Sequence, residues 1–519
     1  ASQEPVRGYV LSALIGTACV AIGNLNAIAP LITNFFMATY ALVNYACFLA
    51  SESRAPGWRP TFRQYNKWVS LGGAVACFAI MMMLDVIMGL VTCVVGALLF
   101  KYIELRSHRV DLGNWGAAEE GRWYLDALSS LMKLNDARGH VKNWRPQLMV
   151  LSGSANERPG LEACARHLMR KAHGCTVFGD IIQAPFDDAD ARETFNRQQE
   201  EMQKHVRELG LTAFNHLVIS PSFRVGANMM LQLSGLGRLR PNTVLMGYKK
   251  GWKSAPKPDV NEYVQTIGDC FDMDTGVVIV SDHREYEKLT MRINSALAAA
   301  SRHNLYNTIS VPSTRSHGLS SGSVKEKSTI DVWWLTDDGG LTVLLPHLLM
   351  RSRWFRNRFT LRLMCPAKSG PTLEREVARN RRLMAGFRIS IEVVGVPNDT
   401  AEPSAATQEA YEAQGLDAAT TGGFEDVTKS YLRYADLIRE HSSKASIVFV
   451  SLPVPLADLD SSLYMTWVDA LSQRFGSVTG GAAGEGAATP APMLGQEREA
   501  DQVVVLLRGN QRSVMTFMS

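Results

Sequence analysis

The sequence predicts two unlike parts in series: an α-helical membrane segment of four spans, then a soluble α/β part made of two parallel-sheet units. Three observations carry this. From Gly8 to Ser51 there is no Asp, Glu, Lys or Arg, which a water-facing surface of that length does not allow. Only ten of the 104 charged side chains fall in residues 1–104, although the 519-residue chain is 20% charged and 46% hydrophobic overall. From Gln147 onward, short runs rich in Val, Ile and Leu alternate with amphipathic stretches, the pattern of strands covered on both faces and interleaved with helices.

Four spans are expected within residues 1–104, at about 9–29, 31–51, 68–84 and 86–103. The first is apolar from Tyr9 to Ala29 apart from Ser12, Thr17, Asn24 and Asn26, long enough to cross ~30 Å of hydrocarbon. Asn24 and Asn26 mark a turn, and Pro30 opens the second span, where a missing N–H breaks no intrahelical bond. Asp85 separates the third and fourth. Arg54, Arg59, Arg63 and Lys67 crowd the loop after the second span against one acid, Glu52. The positive-inside rule makes that loop cytoplasmic. Arg7, Lys101 and Arg106 then lie on the same side, so both ends of the membrane segment face the cytosol. The chain opens at Ala1 with no signal-peptide pattern in its first eight residues, which reads as an internal start.

The second span carries a stripe. At 100° per residue Thr33, Met37, Tyr40, Asn44, Cys47 and Ser51 fall on one side of an otherwise apolar helix. Polar groups in hydrocarbon must face protein or water. Two readings are open: close helix packing through small and hydroxyl residues, or the lining of a solute pathway in which the Tyr40 phenol donates a hydrogen bond to an anion.

In the soluble part, residues 105–310 form a first α/β unit, 311–328 a linker and 329–519 a second unit interrupted by a low-complexity insertion at 476–492. The expected strands are LMVLSG (148–153), HLVISP (216–221), NTVLMGY (242–248) and GVVIVSD (276–282), and the same rhythm resumes with TIDVWWLTDDGGLTVLLPHLLM (329–350), RFTLRLMCP (358–366), ASIVFVSLP (445–453) and DQVVVLLRG (501–509). Helices are expected at Gly160–Lys171 and around Phe223–Leu236. The stretch Pro397–Gly423 reads as a further linker, being poor in large apolar residues.

Chemical motifs are sparse. Ser152, Gly153 and Ser154 lie between a strand and a helix, and read either as a tight turn or as backbone N–H groups cradling a phosphate; no GxxxxGK[ST] or full GxGxxG accompanies them. Asp337 and Asp338 precede Gly339-Gly340, an acidic helix start or a Mg²⁺ pair. Eight cysteines include no CxxC pair, and the histidines are scattered, so neither a metal site nor a nucleophile–base–acid set is expected. The net charge of +4 comes without a basic stripe, which excludes nucleic acid as a partner.

Ordered blocks spanning the chain carry a resemblance: EPVRGY (4–9), LNAIAPLITNFFMATYALVNYACF (25–48), PGWRPTFRQYNKW (56–68), HVKNWRPQ (140–147), GLGRLRPNTVLMGYKKGW (235–252), TIDVWWLTDDGGLTVLLP (329–346), SSLYMTWVDALS (461–472) and LLRGNQRSVMTF (506–517). The chain resembles the C-terminal half of a cation-chloride cotransporter, solute carrier family 12, of the sodium-coupled branch. The resemblance implies the last four helices of a twelve-helix, inverted-repeat transporter of the amino acid-polyamine-organocation type, and a cytosolic domain of two universal-stress-protein-like subdomains. It implies electroneutral symport of chloride with sodium and potassium, or with sodium alone, at the plasma membrane, with no enzymatic activity. Tyr40 matches the family's chloride-coordinating tyrosine in FFMATYALVN, and Met37 and Asn44 become neighbours of the pathway. No resident cofactor is implied; ATP is a regulatory ligand in some members, with Ser152, Gly153 and Ser154 as its candidate site. The implied partners are a second copy through the cytosolic domain, membrane lipids, and regulatory kinases acting on an upstream region. A different reading is a membrane-anchored, nucleotide-binding regulatory module without transport activity.

Overall fold

Apolar length shapes the first part of the chain. In the computed structural model, which describes residues 6–21, 25–53, 58–107, 118–291, 327–416, 422–474 and 502–515 apart from 61, 63, 283, 285, 289, 290 and 457, the chain divides into two units, Ala1–Asp136 and Ala137–Ser519. The first holds α1 (Val6–Ala21), α2 (Leu25–Glu52), α3 (Lys67–Leu84), α4 (Val86–Ser107) and α5 (Ala118–Asp136). Among the described residues three helices are long and apolar enough to cross a membrane, at Ile32–Glu52, Lys67–Leu84 and Val86–Ile103, while α1 contributes the shorter apolar stretch Gly8–Thr17. Val69, Phe78, Met83, Ile87, Leu98 and Phe100 stand exposed on α3 and α4, as side chains facing lipid would.

Two boundaries differ from expectation. Residues 25–29, assigned to the first span, belong to α2, and the turn at Asn24 lies outside the described residues. Pro30 therefore sits inside α2 instead of opening it. A proline six residues into a helix forgoes one backbone hydrogen bond, and continuing the helix keeps the other backbone groups paired where water is absent. The unit also extends past residue 104 to include α5, an amphipathic helix packed on α2. Asp85, between two spans, is used as a cap: it ends α3, and its Oδ1 accepts the N–H groups of Ile87 at 2.9 Å and Met88 at 3.1 Å at the start of α4.

The second unit runs β1 (Leu148–Leu151), α6 (Pro159–Met169), β2 (Thr176–Gln183), α7 (Ala189–Glu208), β3 (Ala213–Ser220), α8 (Phe223–Leu233), β4 (Thr243–Gly247), α9 (Lys257–Asp272) and β5 (Gly276–Val280). It continues with β6 (Ser328–Trp333), α10 (Leu341–Met350), α11 (Arg353–Arg358), β7 (Phe359–Ala367), α12 (Pro371–Gly386), β8 (Glu392–Pro397), α13 (Ala405–Glu412), α14 (Glu425–His441), β9 (Ala445–Ser451), α15 (Ser461–Leu471) and β10 (Val503–Arg508). These ten strands form one sheet, in the order β3-β2-β1-β4-β5-β10-β9-β6-β7-β8. Renumbered within its own half, the second set repeats the 3-2-1-4-5 order of the first, read in reverse. The halves are repeats joined edge to edge through their last strands, and that junction is antiparallel, pairing Val505 with Val280 and Arg508 with Val277. The other pairings among the ten strands are parallel.

The two parallel-sheet units expected from sequence thus share a single sheet. Residues 277–280 and 503–507 are almost wholly buried; left as edges, both strands would offer unpaired backbone and apolar side chains to water. Alternate residues serve two cores: Leu148, Val150, Ile330, Val332, Val503 and Val505 face one, and Met149, Leu151, Trp333, Val504 and Leu506 the other. Helices cover both faces, which explains strands with no polar alternation. Two strands, β2 and β8, are additional to those expected; their apolar runs are broken by Gly179-Asp180 and by Gly395 and Pro397. The expected linker at Pro397–Gly423 contains α13. Its N-cap Ser404 accepts the Thr407 N–H at 3.4 Å, and Asp436 of α14 accepts the Ser404 N–H at 2.7 Å, so polar capping replaces the apolar content the segment lacks. The boundary at 310, most of the linker 311–328 and the insertion 476–492 lie outside the described residues.

Candidate functional site

The stripe read from sequence lies on the single helix α2. Thr33, Met37, Asn44, Cys47 and Ser51 are half-buried there, and Tyr40 is 53% exposed. Asn34, off the stripe, is fully buried, and neither of its amide atoms has a hydrogen-bond partner among the described residues. Thr33 Oγ1 donates to the Ala29 carbonyl at 2.8 Å, and Asn44 Nδ2 donates to the Tyr40 carbonyl at 2.9 Å. Both bonds return to the preceding turn, a usual way to satisfy short polar side chains in a low-dielectric setting. Tyr40 and Asn44 are thus joined through the backbone, and the phenol stands on the flank of α2.

The end of α2 nearest the basic loop is held firmly. Tyr65 donates its hydroxyl to the Cys47 carbonyl at 2.8 Å, Lys67 Nζ lies 2.6 Å from the Glu52 carboxylate, and Phe48 packs against Trp68 with ring centroids 6.1 Å apart. Gly73 of α3 meets Asn44 of α2. A Cβ built on Gly73 would lie 3.1 Å from Asn44 Oδ1 and 3.3 Å from its Cγ, so the close approach of these helices depends on the missing side chain.

In the α/β unit, Ser152, Gly153 and Ser154 follow β1. Ser152 is buried, Gly153 has φ +75°, and the Ser154 N–H and hydroxyl reach the Glu157 carboxylate at 3.0 and 3.2 Å. The position a phosphate would take in the loop is held by the chain's own carboxylate. Nearby Asp180 is buried, and desolvation, with a smaller contribution from the Glu157 charge, raises its pKa above the usual carboxylate value.

The corresponding loop of the second repeat is filled in the same manner. Asp338, fully buried, accepts the N–H groups of Gly340, Thr342 and Gly509 at 3.0 Å each, the Thr342 hydroxyl at 2.7 Å and the Trp334 indole N–H at 3.2 Å. A carboxylate at a helix N-terminus with this many donors is stable without a counter-cation. Gly339 and Gly340 have φ of 78° and 93°, a left-handed path open to glycine. The DDGG run is therefore a helix start that also fastens the end of β10.

A third carboxylate, with no signal in the sequence, joins the two repeats. Asp469 of α15 is 5% exposed and accepts from the Tyr248 hydroxyl and from Trp252 Nε1 at 3.2 Å, with Lys253 Nζ at 3.5 Å. Desolvation raises its pKa despite these partners. The Arg474 guanidinium lies over the Tyr248 ring, 4.4 Å from its centroid, and donates to the Ser281 carbonyl. An isolated aspartate in an amphipathic run looks like a surface residue, so only the residues that follow β4 and pack against α15 reveal its role.

A helical unit with membrane-spanning lengths of apolar helix, followed by a doubled α/β repeat, defines a membrane protein with a large appended domain. The family model "Solute carrier family 12" matches residues 158–319 and 322–478, and the model "Amino acid permease" matches residues 1–150. The chain belongs to solute carrier family 12. It is 31% identical to human solute carrier family 12 member 1 over all of this chain and 51% of that protein. It is 30% identical to member 2 of Squalus acanthias over all of this chain and 48% of that protein, and 30% identical to human member 3 over 99% of this chain and 51% of that protein. The chain spans about half the length of these relatives. Among solved structures it is similar to the cytoplasmic domain of a prokaryotic cation chloride cotransporter, with a TM-score of 0.36 and 10% identity over 72% of this chain and 99% of that one. A universal stress protein from Archaeoglobus fulgidus gives a TM-score of 0.35 and 8% identity over 70% of this chain and 96% of that one.

Proposed function

We propose that the chain acts as the C-terminal half of an electroneutral, sodium-coupled cation-chloride cotransporter, moving sodium, potassium and chloride across the plasma membrane. In this reading α1 to α4 are its last four membrane helices, and the α/β unit is a cytosolic domain that regulates transport and mediates homodimerisation. Family membership, with similarity to member 1 over the whole chain and Tyr40 on the polar stripe of α2, is the observation that supports it. Tyr40 donates its phenolic hydrogen to chloride, Met37 borders the pathway, and lipids and upstream-acting kinases are the remaining partners. A phenol can bind an anion without itself ionising, and a desolvated anion gains most from such a donor.

In the full-length transporter, Tyr40→Phe removes that donor while keeping the ring. Losing a hydrogen bond to a charged group costs about 1.5–3 kcal/mol, roughly a ten- to hundredfold rise in half-saturating chloride. Chloride titration of ion uptake, normalised to surface protein, measures it; an unchanged chloride affinity rejects the assignment. On the nucleotide-module reading, a phosphate must displace the Glu157 carboxylate from Ser154. Calorimetry with ATP at millimolar concentration tests that reading, and heat absent from it counts against the module.

A further inference from the structure

Tyr40 reaches a solute only if α2 holds the right rotation, and the phenol, exposed on the flank of the helix, does not fix that rotation itself. The fixing contacts lie one turn away. Asn44 donates its amide hydrogen to the Tyr40 carbonyl at 2.9 Å, and its Oδ1 rests against the bare Cα face of Gly73 on α3. The inner face of α2 runs through buried Asn34 and half-buried Met37, Ala38, Ala41, Asn44 and Phe48. Asn44 is thus a polar member of the helix–helix contact, and Tyr40 lies on its margin. An amide removed from water is costly to leave without a hydrogen bond, and Asn44 makes one back to the carbonyl of the residue that carries the phenol. The bond to the Tyr40 carbonyl and the close approach of α3 therefore share one side chain.

We propose that Asn44 is a positioning residue for Tyr40, seated by Gly73, and that the pair sets where the phenol meets chloride. This rests on the chloride reading of Tyr40. It also replaces the role expected for Asn44 as a direct pathway neighbour: its amide nitrogen serves Tyr40, and its oxygen faces α3.

The test is a chloride titration of surface-normalised ion uptake in the full-length transporter carrying Tyr40→Phe, Asn44→Ala, Gly73→Ala, or Gly73→Ala with Asn44→Ala. A Cβ on residue 73 at 3.1 Å from Oδ1 is tighter than ordinary contact, so Gly73→Ala pushes the carboxamide from its seat. Asn44→Ala and Gly73→Ala should each raise half-saturating chloride about fivefold or more, with half-saturating sodium changed less than about twofold. The double variant should be no worse than Asn44→Ala, because an alanine at 73 has nothing to displace once the carboxamide is gone. Independent addition of the two effects, equal shifts for sodium and chloride, or a change in maximal rate alone would overturn the proposal. Tyr40→Phe separates the levels. If it leaves chloride affinity unchanged, the chloride reading itself fails; if it shifts affinity while Asn44→Ala and Gly73→Ala do not, only the positioning role fails.

Discussion

At His167 the fold keeps an imidazole neutral by surrounding it with apolar and cationic groups. Its Nδ1 lies 3.2 Å from the Tyr286 hydroxyl, and the Phe355 ring packs edge-on with centroids 5.5 Å apart. Desolvation first, then the Arg166 and Arg170 charges, lower its pKa to about 4. An unfolded histidine titrates near 6.5, so between those values the unfolded state binds a proton that the folded state does not. Stability therefore falls as pH drops from 6.5 toward 4 and levels off below. Going from pH 7 to pH 5 should cost about 2 kcal/mol at this residue. His216 and His347, whose pKa burial also lowers, add to the loss in residues 137–519, so the measure is the difference between proteins. In urea unfolding at both pH values His167→Gln should lose less than the parent by about that amount, and equal losses would contradict the assignment. Asp338 is buried in a different setting, with five hydrogen-bond donors converging on its carboxyl oxygens.

Among the elements, β10 carries the greatest structural burden for its length. It pairs with β5 of one repeat and β9 of the other, and its end is fastened by Asp338 and, through Asn510 and Arg512, by Asp274. A chain ending at Gln502 would leave the apolar edges of β5 and β9 open. It should aggregate or be cut by protease within the α/β unit under conditions where the intact chain resists; equal resistance would show that the repeats hold together without the strand. Most strands are legible in the sequence because Val-, Ile- and Leu-rich runs such as 277–280 and 447–450 need cover on both faces. The junction is not, because an apolar run gives no sign of which edge it meets. Tyr40, Met37 and Asn44 can be placed on one helix from their spacing. The seat under Asn44 cannot, since Gly73 in the GG pair of α3 acquires meaning only when a second helix lies against it.

For the molecule as a whole, the two units differ in the solvent they are built for. Residues 1–136 expose Leu, Ile, Val and Phe side chains over α3 and α4, whereas the α/β unit buries them in two cores on either side of its sheet. Expressed separately, residues 137–519 should remain in solution and residues 1–136 should require detergent. Centrifugation of the two fragments with and without detergent measures this, and a detergent-dependent 137–519 fragment would refute it. The pairing at the middle of the sheet also has a temporal consequence. The nine other strands of the sheet are synthesised before the one that joins the repeats, so a nascent chain carries two raw, sticky borders until β10 emerges. Until then the open borders of β5 and β9 are the part of the α/β unit most exposed to wrong pairing with another chain.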